Sequence, residues 1–325
     1  MRFLIPAIAS LFMLGAVSPG QDAPPISDWS TEVVVVDAEA GGPALWHIRK
    51  GDSEIWILGT VGLMPEKLAW NSTRLAQVIE GSNAVLLEPQ ARSGFFDMLG
   101  MSWFLITHRD ALSMPDDQKL EPSLSPELRA RFVKAREAIK KDADHYEDDS
   151  PLVAGFKLLS DYIEAHRLAP QVPEQAVGKI ADARHVKVKR IAEYSANPLI
   201  REMLELPRQA GQVCFENALN DYETLDRHAV AAADAWAVGD VAGIKANYST
   251  SLFLPCIGQA KNYGEIDHRA VDDTVKAVHD ALGKPGKTVM IVNIGWLFRV
   301  GGVADVLKGE GIAIEGPAEK SNAPS

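Results

Sequence analysis

The chain has 325 residues, of which 46% are hydrophobic and 24% are charged, and its formal net charge is −11. This composition is typical of a soluble globular protein and excludes a collagen-like, low-complexity or polytopic membrane chain. An acidic chain without a basic stripe lacks the usual electrostatic features of proteins that bind phosphate backbones. Nucleic acid is therefore not an expected partner.

The N-terminus has the pattern of a secretory signal peptide. Arg2 provides a positive charge, residues 3–17 are predominantly apolar, and the small residues 18–20 match a cleavage site before Gln21. The apolar run is shorter than the ~20 residues that a bilayer span needs, although a retained anchor is the alternative. We therefore expect residues 1–20 to be removed, no membrane span to be retained, and the mature protein to be periplasmic or secreted.

Two β-strands are predicted near the start of the mature chain. Residues 21–43 form a Pro-rich and polar leader with an edge strand at 33–36. The segments 44–48 and 54–61 are rich in β-branched and aromatic residues, and the intervening Arg-Lys-Gly-Asp-Ser favours a turn. These two segments predict a hairpin.

A helix and a third strand follow the hairpin. Asn71 and Ser72 are good N-cap residues, the apolar residues that follow have helical spacing, and Gly81 ends the pattern. The apolar run 84–88 suits a buried strand. Because a crossover helix joins parallel strands, we expect strands 54–61 and 84–88 to form a parallel pair.

The middle of the chain is predicted to be helical and its end to be mixed. Helices are predicted at 125–139, 152–163, 210–238 (as one or two helices), 265–282 and 297–308, and strands at 186–192, 288–294 and 312–315. The simplest assembly is an α/β (α+β) fold with a mixed central sheet built from N- and C-terminal strands. It forms a single domain over residues 44–317, with a helical insert at about 95–285 and a disordered tail at 318–325.

The chain has two cysteines, Cys214 and Cys256. Export places them in an oxidising compartment, where an even pair favours a disulfide over a metal site or a nucleophile. Two buried thiols are the alternative.

Three segments resemble a known family. They are "PALWHIRKGDSEIWILGTVGLMPEKLAWNSTRLAQVIEGSNAVLLEP", "AVAAADAWAVGD" and "VMIVNIGWLFRVGGVADVLKGEGIAIE". The first segment combines an apolar hairpin, Gly-Thr, a proline-bearing loop, a helix and a strand that ends in Leu-Glu. It is similar to the start of the TraB/GumN family, which is related to the Tiki metalloproteases. The resemblance implies a divalent-metal site for peptide hydrolysis, built from two Gly-x-x-His motifs and an acid.

This chain departs from both family motifs. Gly59 begins the first motif, but Gly62 stands at the histidine position, and Trp296 stands where the second histidine belongs. The acid is kept as Glu88. Lys261-Asn262 matches a further family pattern, a basic residue followed by asparagine. Arginine is more common than lysine at the first of these two positions.

The two replacements change the chemistry expected of the site. Glycine has no side chain and indole has no usable lone pair, so neither replaces an imidazole ligand. Since a hydrolytic metal site needs about three protein ligands, we expect no bound cofactor and a site that serves as a binding cleft. The resemblance places the following residues there: Gly59, Thr60, Gly62, Glu88, Lys261, Asn262, Asn293, Gly295 and Trp296. Phe298 and Leu63 are expected to line the same cleft.

Two functions remain open from the sequence. One is an exported binding or regulatory module whose ligand is a peptide, a protein or a small molecule. The other is a hydrolase with a rearranged site, in which Glu88 is a general base, His47 is its partner, and a metal such as Mn or Zn is bound. A purely structural Glu88, paired with Lys261 or Arg299, is as consistent with the sequence as a catalytic one.

The remaining histidines and acidic residues predict no other metal site. His268 and His279 share a face of the predicted helix, but eleven residues span about 16 Å, which is too far for one ion. The acidic residues of 142–148 lack the glycine and the terminal glutamate of a calcium-binding loop.

Overall fold

The structure, a computed structural model, describes residues 35–36, 41–92, 109–170, 172–253, 256 and 261–317. The predicted signal peptide, most of the leader and the tail at 318–325 lie outside these residues. In the described ranges, no helix is both long enough and apolar enough to cross a bilayer.

The described residues form short and long strands at both ends of the chain and in the insert. The strands are β1 Val35–Val36, β2 Leu45–Lys50, β3 Ser53–Thr60, β4 Met64–Pro65, β5 Ala84–Leu87, β6 Gln90–Arg92, β7 Leu168–Ala169, β8 Val188–Arg190, β9 Glu193–Ser195, β10 Gly286–Asn293 and β11 Gly316–Pro317.

Helices occupy most of the remaining described residues. They are α1 Thr73–Ile79, α2 Arg109–Leu112, α3 Leu120–Ser123, α4 Pro126–Ala138, α5 Pro151–Ala165, α6 Val172–Ala183, α7 Asn197–Leu204, α8 Arg208–Ala237, α9 Val241–Asn247, α10 Lys261–Leu282, α11 Ile294–Phe298 and α12 Val303–Gly309. The predicted stretch at 210–238 is thus one long helix, α8.

A five-stranded mixed sheet with the order β2-β3-β10-β5-β8 forms the centre of the fold. The predicted hairpin is the antiparallel pair β2–β3, and the other three pairings are parallel. The predicted α/β fold is confirmed. The insert predicted to be helical also contains a strand of the central sheet, since β8 is its fifth strand.

One predicted pairing is wrong. Strands β3 and β5 run parallel, as the crossover helix requires, but β10 lies between them and pairs with both. The C-terminal strand β10 is buried along its last six residues, as a strand with parallel neighbours on both sides is expected to be.

The C-terminal region also differs from the prediction. The expected helix at 297–308 is two helices, α11 and α12, separated at residues 299–302. Gly301 has a positive φ of 69°, and a Cβ at Gly302 would lie 2.5 Å from the carbonyl oxygen of Trp296. Both glycines therefore permit the break. The predicted strand at 312–315 is replaced by β11, which pairs with β1.

Two hydrophobic cores lie in the described part of the protein. One joins the sheet to α1, α6 and α10, and the other lies among the helices of the insert, which we call the helical layer (residues 109–256). The Cys214–Cys256 disulfide is formed, with its Cα atoms 5.4 Å apart. The bridge ties the buried side of α8 to the segment that precedes α10.

Candidate functional site at the sheet rim

Three parallel strands end at the same edge of the sheet, which we call the sheet rim. Thr60 at the end of β3 lies opposite Asn293 at the end of β10, and Glu88 directly follows β5. Because ligands of α/β proteins collect at the carboxyl ends of parallel strands, the rim is the expected place for a site. The structure places Gly59, Thr60, Glu88, Asn293 and Gly295 at or next to this edge.

Glu88 is the central polar group of the rim, and only 4% of its surface is exposed. The Thr60 hydroxyl lies 3.5 Å from its Oε2 as a hydrogen-bond donor, and the backbone N–H of Asn293 also donates to the carboxyl group. Burial, reinforced by the nearby charge of Glu174, raises the pKa of Glu88 to about 8. The carboxyl group is therefore mainly protonated at neutral pH.

Whereas Arg299 pairs with Asp267, a basic neighbour of Glu88 in the described residues is Arg190, at the end of β8. Its guanidinium group makes a two-pronged ion pair with Glu174, with N–O distances of 2.8 and 3.0 Å, and donates to the backbone carbonyl of Glu88 at 2.7 Å. Because Arg190 is paired with Glu174, its positive charge lowers the pKa of Glu88 by less than burial and the charge of Glu174 raise it. The side chains of Lys261 and Asn262 lie outside the described residues.

Gly59 is required by packing rather than by chemistry. A Cβ at this position would lie 2.6 Å from the ring of Trp46. The carbonyl oxygen of Gly59 accepts a hydrogen bond of 2.6 Å from the indole nitrogen of Trp236 on α8. The first motif glycine therefore allows two tryptophans to approach the end of β3.

The second motif is organised by Asn293, which caps α11. Its Oδ1 accepts from the backbone N–H of Gly295 at 2.8 Å and from the Tyr248 hydroxyl at 3.1 Å. A Cβ at Gly295 would lie 2.3 Å from that hydroxyl, so glycine is needed where Tyr248 approaches. Burial raises the pKa of Tyr248 well above its usual value, and the phenol remains a neutral donor.

Trp296, at the second histidine position, is fixed by a buried ion pair. Its indole nitrogen donates to Asp267 Oδ1 at 3.0 Å. Arg299 binds both oxygens of the same carboxylate, at 2.9 and 2.7 Å. Asp267 is 4% exposed and Trp296 is 8% exposed. The indole therefore fills space inside the protein and satisfies a buried carboxylate.

A small cleft lies beside the first motif. The loop after β3 and the helices α8 and α9 line it, through Val61, Gly62, Leu63, Leu225, Ala229, Ala232, Asn247, Tyr248 and Ser249. Its volume of about 30 Å³ holds roughly two water molecules. Gly62 and Leu63 line this cleft, whereas Glu88, Trp296 and Phe298 are buried beneath the surface.

His47 is separated from Glu88. It lies on the edge strand β2, stacks on Trp56 at 4.1 Å between ring centroids, and contacts Glu54 at 3.2 Å and Glu315 at 3.7 Å. Three strand spacings of about 4.8 Å divide β2 from β5, and His47 is paired four residues before the end of β3. The two side chains are not arranged as a general-base pair.

The rim residues do not fit a divalent metal. Gly62 offers no ligand and the Trp296 nitrogen donates its hydrogen to Asp267, so Glu88 is the one potential ligand kept at the described motif positions. Asp267 is already engaged by Arg299. Among the described residues, no group of three histidine, cysteine, aspartate or glutamate side chains is placed to hold an ion.

Sequence reasoning missed four rim residues: Tyr248, Asp267, Arg190 and Glu174. All four lie in the insert, far along the chain from the side chains they contact. Only Arg190 had a local indication, since it ends an alternating run of apolar and basic residues. The others are identified by pairing across the fold rather than by a motif.

Comparison with known proteins agrees with this arrangement. The family model described as the TraB/PrgY/gumN family matches residues 44–316, which include every rim residue described above. No curated protein and no solved structure matches the chain.

Proposed function

The chain belongs to the TraB/PrgY/gumN family, and we propose that it is an exported member that has lost metal-dependent peptide hydrolysis and acts as a binding or regulatory module. Export is supported by the signal-like N-terminus and by the Cys214–Cys256 bridge.

The observation that supports this proposal most strongly is the bonding of Trp296. A metal ligand at this position would need a free lone pair directed at the rim. The indole instead donates to Asp267 inside the protein, and Arg299 holds the same carboxylate. Gly62 has no side chain, and the Trp296 indole offers no lone pair to a metal. Both nitrogen ligands that the family mechanism would use to activate water are therefore missing from these two positions.

Glu88, the acid that the rim retains, is not a ready general base at neutral pH. Glu88 is buried and has a pKa of about 8, so it holds a proton where a base must accept one. A hydrolase that used Glu88 as its base would gain activity as the pH rises through about 8. This pH dependence separates the alternative function, a peptidase with a rearranged site, from the binding module.

The test is a peptide-cleavage assay on the purified protein with Mn²⁺, Co²⁺ or Zn²⁺, at pH values from 6 to 9. We expect no cleavage above background and no change with Glu88→Ala. The exposed Glu80 provides a matched control, Glu80→Ala. Metal-dependent cleavage by the unmodified protein that is abolished by Glu88→Ala and kept by Glu80→Ala would overturn the proposal.

A second arm restores the family ligands with the double variant Gly62→His and Trp296→His. If the two positions are the reason that hydrolysis is lost, this variant should gain metal binding or metal-dependent cleavage over the unmodified protein. The proposed loss would be contradicted if the unmodified protein bound metal with the same affinity as the double variant.

A further inference from the structure

The fifth strand of the sheet, β8, ends the sheet on the side opposite to β2. Its inner side pairs with β5, since Val85 N–H donates to the Lys187 carbonyl and Ile191 N–H donates to the Leu87 carbonyl. Backbone groups of a strand alternate in direction, so those of Val188 and Arg190 point away from β5. In the described part of the protein, no strand pairs with this outer side.

Contrary to the expectation of an acidic chain without a basic stripe, the same segment is strongly basic. Residues 179–190 contain five lysines or arginines and one aspartate, although the whole chain has a formal charge of −11. Lys187 and Lys189 are exposed, as is Val188 at 38%. Neither lysine forms a salt bridge with another described residue, whereas Arg190 is already paired with Glu174.

These features together select one kind of partner. An open strand edge binds an extended peptide through backbone hydrogen bonds. Lysines on an edge also prevent it from pairing with an identical edge, because like charges would then face each other. The charge therefore disfavours a second copy of β8 and favours an acidic strand.

We propose that the outer edge of β8 binds an extended acidic peptide segment of another protein as an added strand. The backbone of Val188 and Arg190 provides the hydrogen bonds, and Lys187 and Lys189 provide the preference for acidic side chains. This edge is distinct from the sheet rim, so the inference does not depend on the loss of hydrolysis.

The test measures binding of a fluorescent ten-residue peptide of alternating glutamate and valine to the full mature protein. Three probes serve as comparisons: the same peptide with lysine in place of glutamate, the acidic peptide with alternate backbone amides N-methylated, and a ten-nucleotide oligothymidylate. We expect the acidic peptide to bind at least tenfold more tightly than each of the three.

Protein variants then locate the site. Lys187→Glu with Lys189→Glu should weaken binding at least tenfold, while the exposed pair Lys284→Glu with Lys308→Glu should leave it within about twofold because these lysines lie elsewhere. Val188→Pro removes an outward N–H without removing a bond to β5, so it should weaken binding in a folded protein.

Three results would overturn the inference. They are no detectable binding of the acidic peptide, equal binding of the N-methylated peptide or the oligonucleotide, and unchanged binding after reversal of Lys187 and Lys189. A circular dichroism spectrum of each variant confirms that a loss of binding is not a loss of fold.

Discussion

The sheet rim and the helical layer each contain a buried carboxyl group, and the two groups are held in very different ways. Asp221 on α8 accepts hydrogen bonds from the Ser251 hydroxyl at 2.5 Å and from the backbone N–H groups of Leu252 and Phe253 at 2.7 and 2.9 Å. Glu88 accepts from one backbone N–H and has a single long contact, 3.5 Å, with Thr60.

The difference separates a structural carboxylate from a chemically unusual one. Burial raises the pKa of both groups, but three donors oppose that effect at Asp221 and hold the segment at 251–253 against α8. At Glu88 burial dominates, and the pKa reaches about 8. A family acid is thus retained at the rim, and burial keeps it mainly neutral at neutral pH.

The largest effect is expected from Asp221→Ala. The substitution leaves the buried N–H of Phe253, the partly buried N–H of Leu252 and the Ser251 hydroxyl without their acceptor, and should lower the free energy of unfolding by about 3–5 kcal/mol. Urea unfolding at neutral pH measures this loss. Asp234→Ala, at an exposed position of the same helix, should change the stability by less than about 0.5 kcal/mol. Equal effects of the two substitutions would show that the Asp221 carboxylate does not stabilise the fold through its three donors.

Glu88→Gln should change how stability depends on pH. The pKa of Glu88 is raised from about 4.5 to about 8 on folding, so the folded protein binds a proton that the unfolded chain releases between these values. The contribution of Glu88 is therefore fully present below pH 4.5 and is lost as the pH rises through 8.

In this window the glutamine variant should not show that loss, and its stability relative to the wild type should rise by roughly 3–4 kcal/mol between about pH 5 and pH 8. Urea unfolding at several pH values measures the difference, with the exposed Glu80→Gln as the control. A difference between variant and wild type that is constant with pH would show that Glu88 is ionised in the folded protein.

Trp296→Phe should have the smallest effect. It removes one hydrogen bond to Asp267 but leaves the pair with Arg299, so we expect a loss of about 1–2 kcal/mol. Asp267→Ala leaves Arg299 without this carboxylate and should cost more. If the two substitutions destabilise the protein equally, the indole rather than Arg299 is the principal partner of Asp267.

Much of the fold could be predicted from local patterns. The hairpin, the helices at 126–138 and 151–165 and the strand at 286–293 follow from alternation, apolar spacing and caps such as Ser125, whose side chain accepts from Leu128 N–H. The position of β10 between β3 and β5 could not be predicted, because nothing in a strand's own sequence states which neighbours it will have. The break between α11 and α12 depends on contacts of Gly302 that only the folded chain forms.

The sequence located the motif positions of the candidate site but not the side chains that contact them. Family resemblance located Gly59, Glu88, Asn293 and Trp296, and the structure explains each by a specific contact. Asp267, Glu174 and Tyr248 lie in helices or loops whose sequences have no motif. They act at the rim because the insert folds back onto the strand ends.

The most direct test of the central claim is the metal content of the purified mature protein, measured by mass spectrometry after incubation with Mn²⁺, Co²⁺ and Zn²⁺ and removal of free ions. We predict much less than one equivalent of each metal, and no change with Glu88→Gln. One equivalent of a transition metal that is lost in Glu88→Gln and kept in Glu80→Gln would contradict the account.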